Sequence, residues 1–465
     1  MIDLNALFPD ATPEQRRVFD AAPRTLLRVR AAINYKDALP VGDPRYVDTR
    51  LARDERFQRL FFRTLGYDPG SQSFVPPEAS LHLLFSGHVG CGKSTELLRM
   101  SRELHAPDRY WVVQVDVIDL IDLHDARYSD IWLAIVQAFM ERLRDDGVEL
   151  PGIVLNRFRN WFSERVLSND SIREYAAEVR AEAGVETGIP LIAKYLAKFT
   201  SSIRTGSTHR ETLRTVIQNT YGEFVDSLKQ LIQAATQTLQ QRGKGQRILF
   251  VVDGTDRLKG DDWRRLFVDE ANQLTLIDAI VVYTAPLALM SSGQRLDLFE
   301  SLNLPMVKLR DFTTGDPRSS AYSAMREMVL KRCHASLFDS DRTLGALIDY
   351  SGGHMRDALR LLAYASVEAD GPSIDANAVH SAALRLASDY LKGLSPEDFH
   401  VLVRAAHSPT NIGRDATITR LVEFGALLEY NTGSWRQPHP VLRLLPGYRD
   451  AEALQQASPT GVAVT

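Results

Sequence analysis

Five short apolar runs stand out along the chain, at 81–86 (LHLLFS), 110–117 (YWVVQVDV), 247–252 (RILFVV), 279–284 (AIVVYT) and 306–309 (MVKL). Continuous rather than alternating apolar residues predict strands buried on both faces, as in a parallel sheet. Segments of helical periodicity separate the runs, which makes the chain an α/β protein with five parallel strands.

The connection after the second run is unusually long for a compact domain. It opens with a predicted helix over 130–145, where Ser129 or Asp130 caps IWLAIVQAFMERL. It closes with an amphipathic stretch in which Leu213, Ile217, Tyr221, Phe224, Leu228, Leu231, Ala235 and Leu239 recur at steps of three and four. That stretch reads either as a helix packed on the domain or as a protruding helical hairpin. Breaks at Pro151-Gly152 and Gly188-Ile189-Pro190 mark the middle as a helical insertion. The expected organisation is a leader over 1–80 packed on the main domain and a core over 81–314 with the insertion at about 150–245. A helical lid over 315–392, a winged helix over 393–450 and a disordered tail over 451–465 follow. The winged helix rests on three short helices followed by Leu427-Leu428-Glu429-Tyr430, an Asn431-Thr432-Gly433 turn and Ser434-Trp435-Arg436-Gln437, a hairpin pattern.

Composition narrows the function classes. A net charge of -4 over 465 residues supplies no global field that recruits nucleic acid or anionic membrane. Two cysteines, Cys91 and Cys333, are too few for a disulfide framework or a zinc site, and fit a reducing compartment. MIDLNALFPDATPEQRR lacks the pattern of a signal peptide, and no apolar run is long enough to span a bilayer. The expectation is a cytoplasmic protein without membrane contact.

The chemistry begins at Gly87-His88-Val89-Gly90-Cys91-Gly92-Lys93-Ser94-Thr95, which follows the first apolar run and precedes a helical pattern. This is the G-x-x-x-x-G-K-[ST] phosphate loop in its strand–loop–helix context. Its glycines let backbone N–H groups converge on phosphate oxygens at a helix N-terminus. Lys93 is placed to reach the β- and γ-phosphates of ATP, and Ser94 to give its hydroxyl to Mg²⁺. Gly87, Gly90, Cys91, Gly92 and Thr95 complete the nucleotide-binding loop, which takes ATP or ADP. Cys91 reads as a small tolerated loop residue.

The third run ends in Asp253, where an acid would hold Mg²⁺ beside Ser94. Asp256, three residues on, is the candidate for orienting an attacking water. The fourth run ends in Thr284, a polar residue positioned to touch the γ-phosphate or that water. A Gly-rich turn, Ser351-Gly352-Gly353-His354-Met355-Arg356, opens a later helix that carries Arg356. Arg264, Arg265 and Arg310 are candidates for an arginine supplied to a neighbouring subunit.

Together these motifs resemble the AAA+ and STAND regulatory ATPases, over about 81–120 and 247–445. Asp253-Gly254-Thr255-Asp256 is similar to the Asp-Gly-x-Asp pattern of the NACHT branch, except that Arg257 stands where Glu usually follows. Thr284 and Arg356 take the places called sensor 1 and sensor 2. His439 resembles the histidine of the STAND Met-His-Asp motif, which touches bound ADP, although Pro440 replaces the aspartate. The resemblance implies a slowly hydrolysing nucleotide switch that assembles as a homo-oligomer and works with a separate effector or sensor protein, in the manner of antiphage-defence ATPases. Two alternatives stay open: a DNA-binding loader that uses the winged helix, and an ATP-bound scaffold with little turnover. Against DNA, Arg404, Arg414, Arg420, Arg436 and Arg443 are interleaved with Glu397, Asp398, Asp415, Glu423 and Glu429, leaving no basic stripe.

Overall fold

The computed structural model describes residues 2–161, 188–205, 209–410, 413, 415–431 and 435–457. Its centre is a five-stranded sheet of β1 (Leu81–Gly87), β2 (Tyr110–Asp116), β3 (Arg247–Asp253), β4 (Ile280–Pro286) and β5 (Glu300–Asn303), in the order β2-β3-β4-β1-β5. All four pairings are parallel. Placing β4 between β1 and β3 brings the C-terminal ends of all three together, the crevice where open α/β sheets bind ligands.

Strand alternation divides the sheet residues between two cores. Trp111, Val113, Val115, Phe250, Val252, Val281 and Tyr283 face one side, with the helices that follow β2. Leu83, Phe85, Val112, Leu249, Val251, Ile280 and Val282 face the other, against Leu97, Met100 and Leu104 of the loop helix Lys93–Leu104. Each such side chain contributes roughly 1.5–3 kcal/mol through burial, and a one-residue slip of any strand would exchange the two sets.

The fifth strand lies six residues earlier than expected. Met306, Val307 and Leu309 are buried, but they cross from the sheet to the helical lid, and Lys308 N–H donates to Ala52 O (3.0 Å). Their apolar character serves that junction, while the polar ESLN segment pairs with β1 at the sheet edge.

The first long helix after β2 spans Tyr128–Asp145, with Arg127 as its N-cap; Asp130 sits inside the first turn and accepts from Arg127 N–H (3.1 Å). The amphipathic stretch is two helices, His209–Asn219 and Tyr221–Gln241, interrupted at Thr220. Ile217, Tyr221, Phe224, Leu228, Leu231, Ala235 and Leu239 are all buried in the sheet's own core, as are Phe158, Trp161 and Leu196 of the insertion. That is the packed-helix alternative, not a protruding hairpin.

The leader divides its contacts. Phe57, Phe61 and Phe62 of helix Glu55–Thr64 pack on the sheet, whereas Phe19, Val29, Ile33 and Val47 join the lid. The lid and the C-terminal segment share one core, with Leu347 and Leu361 alongside Leu402, Leu421 and Val441. In that segment two helices, Pro396–His407 and Ala416–Phe424, precede a ribbon of β6 (Leu427–Glu429) and β7 (Arg436–Pro438). The turn residues Thr432 and Gly433 lie outside the described residues. A last helix, Pro446–Ala457, runs past the point where a tail was expected; 458–465 lie outside the described residues. No described helix is long and apolar enough to cross a membrane.

Candidate functional site

The phosphate loop turns at Gly90 and Gly92, both at positive φ, before the loop helix begins at Lys93. A side chain at Gly90 is excluded twice, since its Cβ would lie 2.7 Å from Arg356 Cβ. The outward-facing groups of the loop are each held by another part of the chain. Val89 O accepts from His354 Nε2 (2.8 Å), Gly90 O from Arg356 N–H (3.1 Å) and Cys91 O from Arg53. The His88 ring accepts from Glu429 N–H (2.7 Å). Leader, lid and ribbon therefore fix this one loop from outside.

Lys93 is almost fully buried. Its ammonium donates to Gly87 O (2.8 Å) and His88 O (3.0 Å), and lies 2.8 Å from Asp256 Oδ2. Asp253, at the end of β3 with β4 between it and β1, is hydrogen-bonded by Ser94; burial pushes its carboxyl up, and the neighbouring Asp256 adds to this. Asp116, at the end of β2, is also raised by burial. Asp116, Asp253 and Asp256 thus line one cavity with Lys93 and Ser94, and the burial that raises Asp116 and Asp253 opposes their charge there.

These groups line a cavity of about 400 Å³. One wall is the phosphate loop with Lys93, Ser94, Thr95, Asp253 and Asp256. Opposite stand lid residues Met328, Arg332, Met355, Arg356 and Leu359. The third wall is the leader from Asn34 to Val47, which sequence reasoning had not assigned to the site. It crosses between the other two: Leu39 N–H donates to Thr95 Oγ1 (3.1 Å), Tyr46 O–H to Glu96 (3.2 Å), Lys331 Nζ to Tyr46 O (2.5 Å) and Arg356 Nε to Tyr35 O (3.0 Å). Burial brings Arg332 down to about 10. The cavity is acidic and basic around the loop and apolar where Val47, Met328, Met355 and Leu359 meet, which suits a molecule with a phosphate end and a flat, weakly polar end.

Among the described residues no cluster of three or more His, Cys, Asp or Glu side chains forms a metal cage. The Ser94 hydroxyl and Asp253 carboxylate are hard oxygen donors. Two such donors fit Mg²⁺, which takes its remaining oxygens from water and phosphate.

The sequence-derived residues separate into two groups. Gly90, Gly92, Lys93, Ser94, Thr95, Asp253, Asp256 and Arg356 line the cavity; Gly87, Cys91, Thr284 and His439 do not. Cys91 turns its side chain into the sheet core. Thr284 is fully buried; its hydroxyl accepts from Asp256 N–H (3.4 Å), and its carbonyl accepts from Thr255. It positions the Asp256 turn rather than facing the cavity. His439 is 0% exposed and sits behind the lid helix Met355–Glu368, its Nε2 3.3 Å from Asp357 Oδ2. The structure does not bring it to this cavity.

Asp357 is the hub of that buried junction. It accepts from Tyr390 O–H (2.6 Å) and Arg360 (2.9 Å), and lies 3.1 Å from His354 Nδ1. Burial alone would raise its carboxyl, but His354 and His439 outweigh that and hold it well below the usual range. His354 also reaches the phosphate loop, its Nε2 donating to Val89 O (2.8 Å). Of the other candidate arginines, Arg265 is engaged by Asp125 (3.1 Å), Arg310 donates to Gly315 O (3.2 Å) and Arg264 is exposed.

Sheet order and phosphate loop together define an additional-strand P-loop fold. No family model matches the chain, and no curated relative matches it. Among solved structures, an ORC2 protein from Aeropyrum pernix, described as ADPNP-ADP complexes, is similar at 14% identity and a TM-score of 0.34, over 95% of this chain and 99% of that one.

Proposed function

We propose that the chain is an ATP-binding and hydrolysing regulatory switch of the AAA+ kind, which changes conformation or assembles with nucleotide and acts through a separate partner protein. The observation that supports this reading is the gripping of one phosphate loop by leader, lid and ribbon at once. A loop built only for chemistry does not need three outside anchors. A loop whose state must be felt elsewhere does.

In this reading the loop amides and Lys93 take the phosphates, and Ser94 with Asp253 holds Mg²⁺. The ion supplies charge neutralisation of the phosphate oxygens when bound. Asp256 orients the water that attacks the γ-phosphorus as the bond to the β-phosphate oxygen breaks, releasing ADP and phosphate. Thr284 fixes the Asp256 turn. Lys93 is shared: while its ammonium pairs with Asp256, a third phosphate must compete for it. ADP suits the closed arrangement and ATP disfavours it. Driving such an equilibrium from 1:99 to 99:1 takes about 5.5 kcal/mol of differential binding, which the γ-phosphate contacts to Lys93, Mg²⁺ and Arg356 have to supply.

A protein partner is favoured over DNA. Of the arginines a duplex-binding face would use, Arg436 is buried against Glu429 (2.9 Å) and Arg420 holds Asp398. A role in antiphage defence rests on the sequence resemblance alone. The test is native mass with ADP, then with ATP and Mg²⁺, beside Lys93→Ala. Growth in mass with ATP that the variant abolishes supports the switch; a constant mass removes assembly on ATP alone.

A further inference from the structure

Residue 88 of the phosphate loop carries two bonds of opposite destination. Its carbonyl accepts from Lys93 Nζ (3.0 Å), on the phosphate side. Its ring Nε2 accepts from Glu429 N–H (2.7 Å), on the ribbon side. The ring is buried, and burial together with His354 and Lys93 keeps it neutral, the form that can accept. In an antiparallel ribbon successive amides point to opposite edges. Tyr430 N–H accordingly bonds Trp435 O across the ribbon (2.9 Å), which leaves Glu429 N–H aimed outward at the loop.

Behind that amide the ribbon is rigidly held. The Glu429 carboxylate pairs with Arg436 Nε (2.9 Å), both side chains buried, and Arg436 also donates to Gly413 O (2.9 Å). Ser291, in the short helix after β4, lies 3.4 Å from both Glu429 Oε2 and Arg436 Nη2. A buried ion pair of this kind is weak evidence for stability, since desolvation offsets most of its attraction. Its effect here is geometric: it fixes the direction of one N–H bond.

We infer that His88 is a positioning residue that couples the seating of the C-terminal ribbon to the geometry of the phosphate loop, so that nucleotide occupancy and ribbon docking form one equilibrium. The inference rests on the reading that this loop takes nucleotide phosphate. Drawing Lys93 onto a phosphate alters its bond to the His88 peptide, and the ring transmits that change to Glu429. Coupling of this kind is reciprocal: a seated ribbon strengthens nucleotide binding by the factor by which nucleotide secures the ribbon.

The test is amide hydrogen exchange at β6 in the full chain, with and without saturating ADP, for wild type, His88→Leu and His88→Gln. Leucine keeps bulk and removes the acceptor, whereas the glutamine amide oxygen can replace Nε2. A lost buried acceptor predicts about tenfold faster exchange at Glu429 in His88→Leu, about tenfold weaker ADP binding, and loss of ADP protection, with His88→Gln restoring all three. A role confined to stability would give ADP protection that is uniform, equal at Glu429 and at Val154, rather than selective for the ribbon. Exchange at Glu429 that is unchanged in His88→Leu, or equal ADP protection in both proteins, overturns the inference. Should wild type bind no ADP, the nucleotide reading falls, and the nucleotide-free comparison still decides the contact. Should His88→Leu not fold, wild type decides through ADP protection: selective for Glu429 over Val154 of the insertion if the coupling exists, uniform if it does not.

Discussion

Lys93 Nζ lies 2.8 Å from Asp256 Oδ2 while also holding the carbonyls of Gly87 and His88. The cation of the phosphate loop and the acid proposed to orient water are thus direct partners. Asp256→Asn removes a negative charge from the place a third phosphate approaches. The expected outcome is tighter ATP binding relative to ADP, with turnover reduced about 10²-fold, read by equilibrium titration and phosphate release. Unchanged turnover would take Asp256 out of the chemistry.

Thr284 offers a separate check, because it touches Asp256 without facing the cavity. Thr284→Val deletes the acceptor of the Asp256 amide. Steady-state kinetics should show kcat lowered about tenfold and nucleotide affinity within about twofold of wild type. A large loss of affinity instead would place the hydroxyl on the nucleotide.

The leader forms a strap over the cavity, pinned at Tyr46 by Lys331 and Glu96. Tyr46→Ala removes the hydroxyl that pins the loop-helix side of that strap and leaves the backbone bond to Lys331 on the lid side in place. Release of a fluorescent ADP analogue in stopped flow is expected to accelerate about tenfold, with the association rate changed much less. Equal release rates would show that the strap does not retain nucleotide.

Three buried histidines set a pH dependence of stability. Burial lowers His82 to about 4 and holds His88 well below its usual value, and His439 is lowered by the same cause. Each folded-state value lies below the unfolded value of about 6.5, so the unfolded chain binds more protons in the window between them. Stability from these groups is complete above about pH 6.5 and declines as pH falls through the window. Thermal unfolding should therefore show Tm dropping between about pH 7.5 and about pH 5. A flat or rising Tm contradicts the buried neutral assignment.

Four strands were readable because continuous apolar runs are rare outside fully buried sheets, and the phosphate loop because its spacing carries its own mechanism. The fifth strand was not: ESLN at a sheet edge needs no apolar character, while the run at 306–309 is apolar for a different reason, the crossing to the lid. The site was readable where a side chain belongs to a motif, as at Lys93, Ser94, Asp253, Asp256 and Arg356, whereas Asp116 and Arg332 line the cavity without one. The leader wall was hidden because most of its bonds run through backbone groups of Tyr35, Leu39 and Tyr46, which leave no residue signature. His439 resembles a nucleotide-contacting histidine in sequence, yet the pull of Asp357 and complete burial keep it in the junction behind the lid helix. His88, by contrast, occupies a variable position of the loop motif, and only its partner Glu429, far along the chain, gives it meaning.

The central claim is that the cavity between loop, leader and lid holds an adenine nucleotide through Lys93. Equilibrium binding of ADP to the purified full chain, beside Lys93→Ala, addresses it most directly. The account expects saturable binding by wild type and a loss of about a hundredfold or more in the variant, as removal of a buried cation from a phosphate site should cause. Equal binding by both proteins, or none by wild type, would contradict it.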